Sequence, residues 1–267
     1  MVKQALEAEG LKVGRKDWAD KEFDWEQTDY VLFRTNWDYF DRYDEFNRWL
    51  EKTSEHTQFI NSIDLVKWNS NKKYLSDLHS KGIQIIPTRY LPRTTHLKLD
   101  ELLKLTGWTD AVIKPTVGGA GRHTYRIDAK NIDEVAKKLT PWMEKEDFML
   151  QPFQYSVPEY GEVSLMIFGE TYTHAVLKKA KKGDFRVQDD YGGTVHFYEP
   201  EEDEISLALD AVKACPEPPV YARIDLIRDN DGKLAVSELE LIEPELWFRF
   251  NPDAASFLAE QIIQRLR

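Results

Sequence analysis

Two runs near the C-terminus, residues 221–228 and 234–242, alternate apolar and charged side chains around the turn sequence Asp229-Asn230-Asp231-Gly232. Side chains on a strand alternate faces, so Glu238 and Glu240 share one face and Leu239 and Leu241 the other. A two- or four-residue turn predicts Arg223 across from Glu238 and Asp225 across from Val236, with Asp225, Glu238 and Glu240 all on one side. An odd-length loop or a bulge would change that register.

Three carboxylates on one strand face are costly. Like charges about 4 Å apart repel by roughly 1 kcal/mol in water and about 4 kcal/mol at intermediate dielectric. A hard divalent cation reverses the sign, and an all-oxygen ligand set suits Mg²⁺ or Mn²⁺, with phosphate oxygens completing the octahedron. The competing reading is a solvated acidic face neutralised by Arg223.

Upstream, Val117-Gly118-Gly119-Ala120-Gly121-Arg122 is a glycine-rich turn between two strand-like runs, 111–113 and 125–127. Missing Cβ atoms let backbone N–H groups approach phosphate oxygens, although the segment matches neither the P-loop nor the dinucleotide pattern and also reads as a hairpin tip. Lys114 sits in the apolar run just before it, where a cation needs an anion or a route to water. Arg186, Gln188, Gly192 and Gly193 form a second polar loop suited to an anion. The intervening lysines, 178–182, read as a solvated turn, although Lys178, at a strand end, could face a site.

The remaining elements form an α/β pattern. Helices are expected over 2–9, around Phe46, Trp49 and Leu50, twice between 64 and 82, and over 97–105, 132–143, 207–214 and 254–266. Strands are expected at 10–13, 30–33, 59–61, 83–86, 148–153, 162–168 and 172–177. An α/β domain normally places a strand before its first helix, so we expect the chain to start late relative to its relatives. The net charge of −11 argues against a nucleic-acid partner. The single cysteine, Cys215, forms no intrachain disulfide. No run is apolar enough for a membrane span, and a cytoplasmic location fits. The six histidines show no zinc-ligand spacing.

In order, Trp68 to Leu75, Val112-Ile113-Lys114-Pro115 with the glycine loop, Gln151-Pro152-Phe153, Phe185 to Thr194, Ala222 to Leu226 and Glu238 to Pro244 resemble the ATP-grasp superfamily. Within it they resemble the glutathione-synthetase-like branch that includes the cyclo-ligase of cycloserine biosynthesis. The resemblance implies an ATP-grasp fold of two α+β lobes with a small N-terminal domain. Its expected divisions are 1–65 (pre-ATP-grasp domain), 66–107 (central linker or A-type subdomain), 108–152 (small lobe with the glycine loop) and 153–267 (large lobe with the metal site).

It also implies roles. Lys72 and Lys114 would contact ATP phosphates under a lid formed by Gly118, Gly119 and Gly121. Backbone groups near Gln151 and Phe153 would read adenine, with Glu159 or Glu162 at the ribose. Arg186 would meet the transferring phosphate, and Asp225, Glu238 and Glu240 would hold Mg²⁺ or Mn²⁺. Members of this branch often carry Asn where this chain has Glu240. For the substrate, Arg34, Trp37, Asp38 and Tyr39, at a strand's carboxyl end, are candidates beside a purely structural corner, with Gln188, Gly192 and Gly193; Glu243 and Arg249 are weaker ones.

The implied activity is ligation of a small, amino-acid-like carboxylate to an amine or thiol through an acylphosphate. Intramolecular cyclisation and a regulatory module without turnover are the alternatives. The expected partners are small-molecule carboxylates and amines, with homodimerisation left open.

Overall fold

The computed structural model describes residues 1–95, 98–188 and 191–266. His96 and the helix start expected at Leu97 fall outside these. Helix α1 (Val2–Ala8) ends as Gly10 turns the chain at φ +89°. The strand expected at 10–13 does not form; Leu11 and Val13 pack as loop residues against the cluster around Leu258 and Ile262. Strand β1 (Tyr30–Leu32), helix α2 (Tyr43–Ser54) and strand β2 (Gln58–Ile60) make a parallel unit. Phe46 and Leu50 on α2 are fully buried among Trp18, Phe33 and Tyr39.

Helices α3 (Ile63–Asn69) and α4 (Tyr74–Ser80) follow, with the Ser62 hydroxyl capping α3 by accepting from the Leu65 N–H. The expected strand at 83–86 is reduced to one bridge, Ile85 to Val236. Pro87 has no N–H with which to extend a ladder. Within 66–107, β3 (Arg89–Leu91) joins a sheet, and α5 (Leu99–Thr106) ends on left-handed Gly107.

Strands β4 (Asp110–Pro115) and β5 (Tyr125–Asp128), helix α6 (Ile132–Met143) and strand β6 (Phe148–Pro152) complete a four-stranded antiparallel sheet of order β3-β6-β4-β5. Lys114 and Pro115 lie within β4 rather than interrupting it, paired with Met149 and Phe148. Proline is tolerated there because it closes the strand.

After the short helix α7 (Ser156–Tyr160) come β7 (Glu162–Phe168), β8 (Thr171–Lys179), β9 (Thr194–Tyr198), α8 (Glu202–Lys213), β10 (Tyr221–Arg228), β11 (Leu234–Glu240) and α9 (Ala254–Leu266). They build a five-stranded antiparallel sheet of order β11-β10-β7-β8-β9. Its two faces follow the strand alternation. Leu165, Ile167 and Ile224 cluster with Ala208 and Val212 of α8, whereas Met166, Phe168 and Val176 cluster with Leu258 and Ile262 of α9. The α9 face continues past that helix as a row of polar positions, Ser164 beside Asp225 and Glu162 beside Lys178. Among the described residues no helix is long and apolar enough to cross a membrane.

Candidate active site

A cleft of about 610 Å³ opens between the two larger sheets, with Asp225 and Glu238 on one side, Val112 and Gln151 on the other and Trp37 at the N-terminal end. The expected hairpin register is corrected: Asp225 stands opposite Glu238, not Val236, and Arg223 opposite Glu240, not Glu238. Two local features cause the shift. The Asp229 carboxylate accepts from the N–H groups of Asp231 and Lys233, fixing a five-residue loop between β10 and β11. A bulge then leaves Ser237 unpaired in the ladder. The carboxylates still share a face, and Asp225, Glu238 and Glu240 each place an oxygen within 4.8 Å of the others.

Cations hold this floor together. Asp225 accepts from Ser164 Oγ at 2.6 Å, Arg223 Nε at 2.9 Å and Nη2 at 2.8 Å, and Lys178 Nζ at 2.7 Å. Lys178 also pairs with Glu162, and Arg223 with Glu240. Burial pushes the Asp225 carboxyl upward, but Arg223 and Lys178 outweigh it and leave it well below the usual carboxylate range. At Glu240 burial wins over Arg223 and raises the carboxyl to about 7. Ser237 Oγ donates to Glu162 at 2.8 Å and to the Asp225 carbonyl at 3.0 Å. Lys178 is thus a buried member of the site, the alternative that its place at a strand end left open. Its place in the alternation 174, 176, 178 was the available signal; Ser164 and Ser237 carried none.

Lys72 and Lys114 meet the floor from above. Lys72 Nζ lies 2.9 Å from Glu238 and donates to the Gly118 carbonyl at 2.6 Å. Burial lowers the Lys114 ammonium, with Glu238 opposing. The glycine loop is packed on three sides. A Cβ on Gly119 would come within 2.7 Å of the Phe40 ring, and one on left-handed Gly121 within 2.8 Å of Tyr191. Arg122, after the loop, pairs with Asp41 at 2.8 Å and Glu146 at 2.9 Å.

Part of the cleft is an apolar slot, lined by Ile86, Val112, Phe153, Val157, Ile227 and Leu239. Both backbone groups of Phe153 make hydrogen bonds within the protein. Its N–H donates to Asp110 at 3.0 Å, and its carbonyl accepts from Asn230 at 2.8 Å. What Phe153 offers the slot is its ring. Gln151 is buried, its amide donating to Thr88 Oγ1 at 2.9 Å. Of the two ribose candidates, Glu162 lines the cleft, while Glu159 is exposed on α7 away from it.

Arg186 lines the cleft but is engaged by Asp184 at 2.8 Å and stacked 3.5 Å from the Tyr191 ring. Gln188 also lines the cleft; Gly192 and Gly193 do not. A Cβ on Gly193 would meet the Val187 carbonyl at 2.3 Å, so this glycine permits a close backbone approach instead. Of the N-terminal candidates, Trp37 and Tyr39 line the cleft. Asp38 is spent on structure, accepting from Trp18 Nε1 at 2.8 Å and Arg42 at 3.0 Å. Arg34 is half-buried and is not among the cleft-lining residues, and Trp37 Nε1 donates to the Glu243 carbonyl at 3.2 Å. Both Glu243 and Arg249 line the cleft. Burial and then Glu240 push the Glu243 carboxyl well above the usual range.

Residues 1–61 match the model of the D-cycloserine synthetase DcsG N-terminal domain. The cycloserine biosynthesis protein DcsG of Streptomyces lavendulae is 30% identical over 282 residues, covering 99% of this chain and 92% of that one. The crystal structure of D-cycloserine synthetase DcsG superposes with a TM-score of 0.89 at 28% identity, covering 100% of this chain and 93% of that chain. The D-alanine–D-alanine ligase of Bacillus anthracis complexed with ATP shares the fold, with a TM-score of 0.60 at 20% identity over 79% of this chain and 70% of that one. The ATP-grasp ligase PsnB does so with a TM-score of 0.66 at 16% identity, over 100% of this chain and 94% of that one. With the two-sheet cleft and its carboxylate floor, these similarities establish that the chain belongs to the D-cycloserine synthetase family of ATP-grasp ligases.

Proposed function

We propose that this protein is an ATP- and Mg²⁺-dependent ligase that activates a small, amino-acid-like carboxylate as an acylphosphate for capture by an amine or thiol. The observation that carries this reading is the three-carboxylate floor facing Lys72 and Lys114 across a cleft, part of which is an apolar slot. Glu238 and Glu240 each have only one oxygen engaged among the described residues, so a divalent ion fits between them and Asp225. Bound there, Mg²⁺ supplies neutralisation of phosphate charge, and Mn²⁺ fits the same donor set.

Lys72 and Lys114 orient the triphosphate, the Gly118–Gly121 backbone closes over it, and the slot receives the purine against Phe153. Arg223, Lys178 and Arg186 offset the charge that develops as the substrate carboxylate attacks the γ-phosphorus in line and ADP leaves. The amine then attacks the acyl carbon, phosphate departs, and the amine proton passes to solvent. No protein nucleophile is required.

Incubation with ATP, Mg²⁺, pooled carboxylic and amino acids and hydroxylamine should give ADP and a hydroxamate; ATP binding with neither product would refute turnover. Membership of the D-cycloserine synthetase family favours a second reading, intramolecular cyclisation. ADP release that needs a single bifunctional compound would separate it from two-substrate ligation.

A further inference from the structure

Strand β11 carries Glu238 and Glu240 and is the end strand of the five-stranded sheet, so β10 pairs with only one of its edges. The other edge of such a strand presents N–H and C=O groups that need partners. Ahead of Glu238 the partner is backbone, the Val236 N–H donating to the Gln84 carbonyl at 2.9 Å. Past Glu238, side chains take over. The Leu239 N–H donates to Tyr74 Oη at 3.0 Å, and the Leu239 carbonyl accepts from Asn69 Nδ2 at 2.8 Å. The Leu241 N–H donates to Asn69 Oδ1 at 2.8 Å, and the Leu241 carbonyl accepts from Asn61 Nδ2 at 2.7 Å.

Asn69 thus grips the carbonyl of one residue and the N–H of the residue two further on, as a residue of a neighbouring parallel strand would. A carboxamide carries both the donor and the acceptor that this edge requires. Glu240 lies between the two gripped residues, and Glu238 directly precedes them. On the β10 side the ladder is broken at Ser237, just ahead of Glu238, so that pairing by itself specifies this stretch weakly. A slip of one residue would turn both acids to the opposite face of the sheet. Asn69 closes α3 and Tyr74 opens α4, and both side chains are buried. The turn between them carries Lys72, whose Nζ meets Glu238 at 2.9 Å and whose carbonyl accepts from the Tyr90 hydroxyl at 2.9 Å.

Resting on the metal-dependent ligase reading above, we propose that Asn69 and Tyr74 are positioning residues for the divalent ion. They stand in for a neighbouring strand and fix β11 at Leu239 and Leu241. Glu238 and Glu240 are thereby held at the spacing from Asp225 and Lys72 that an ion and a phosphate require. Both residues act through the backbone of β11.

The test uses the full chain and a non-hydrolysable ATP analogue, titrated by calorimetry over a range of Mg²⁺ concentrations, with thermal unfolding followed alongside. Tyr74→Phe keeps the ring and removes one acceptor. It should raise the Mg²⁺ concentration at half-effect about tenfold, while the Mg²⁺-free affinity for the analogue stays at the parent value. Asn69→Ala leaves two backbone groups without their partner and should raise it further, up to about 100-fold. Val135→Ala opens a cavity in the core between α6 and the four-stranded sheet. It should lower Tm and keep the parent's Mg²⁺ requirement, which separates positioning from lost stability. Should Asn69→Ala fail to fold, Tyr74→Phe decides. A folded Tyr74→Phe with the parent's Mg²⁺ requirement, or a rise of the same size in Val135→Ala, would overturn the positioning role. Analogue binding by the parent that ignores Mg²⁺ would overturn the metal-dependent reading itself.

Discussion

The floor of the cleft and its N-terminal corner are both partly buried and both charged, yet they handle charge in opposite ways. On the floor, Asp225 has four hydrogen-bond donors around it, and Glu162, Glu238 and Glu240 each face a cation. At the corner, Arg34, Asn36, Glu243 and Trp247 carry buried polar atoms with no partner. The floor is held in place by its own ion pairs, which suits the phosphate- and metal-binding role proposed for it. The corner holds polar atoms that the described residues leave unpaired.

The sharpest way to break this contrast is to alter the floor. Glu238→Gln keeps the side chain's volume and removes a charge from the carboxylate set, and ADP formation should fall by about 10²–10³-fold with the fold intact. Turnover equal to the parent would refute the role of Glu238. Next in size is stability. Lys178→Met strips Asp225 and Glu162 of a shared buried counter-ion and should cost about 3–5 kcal/mol in chemical denaturation. Glu243→Gln at the corner removes an acid without a buried partner and should leave Tm unchanged or higher. Equal losses in the two variants would erase the distinction.

A smaller effect is expected at the loop that covers the floor. Gly119→Ala forces a Cβ toward Phe40, an overpacking worth about 1–3 kcal/mol, and should weaken nucleotide binding. Phe40→Leu in the same chain should recover most of that loss, and an unimproved double variant would show that the loop does not rest on Phe40. Smallest is the acid limb of stability. The Arg186 hydrogen bond draws Asp184 down to about 2 from an ordinary 3.8. Its contribution is therefore complete above about pH 4 and disappears as the pH falls toward 2. Asp184→Asn should flatten that part of the stability profile by a few tenths of a kcal/mol, consistent with a partly exposed pair. An unchanged profile would detach Asp184 from Arg186.

Much of this was legible in the chain because strand alternation is a local rule. Glu238 and Glu240 had to share a face, and the placement of Asp225 with them survived even though the register moved. The move itself was not legible, since it depends on Asp229 folding the turn and on Ser237 bulging out. Lys114 was recognised as an isolated cation in an apolar run, whereas Lys178 stayed open between a solvated turn and the site because it leads a run of lysines. Strand β3 was missed because three residues are too few to show a period, and β9 because its face is largely exposed. Asn36 and Trp247 look unremarkable in sequence; only the packing of segments about 210 residues apart leaves their polar atoms without partners. Cys215, read as a packing residue, is buried, with its thiol pushed up to about 12 by that burial.

Calorimetric titration of a non-hydrolysable ATP analogue, with and without Mg²⁺, into the parent protein and Glu238→Gln decides whether the acidic floor grips the nucleotide through a metal. The parent should bind at least tenfold more tightly with Mg²⁺, and the variant should lose that dependence while still binding the analogue. Mg²⁺ enhancement of the same size in both proteins would mean that the carboxylates serve another purpose.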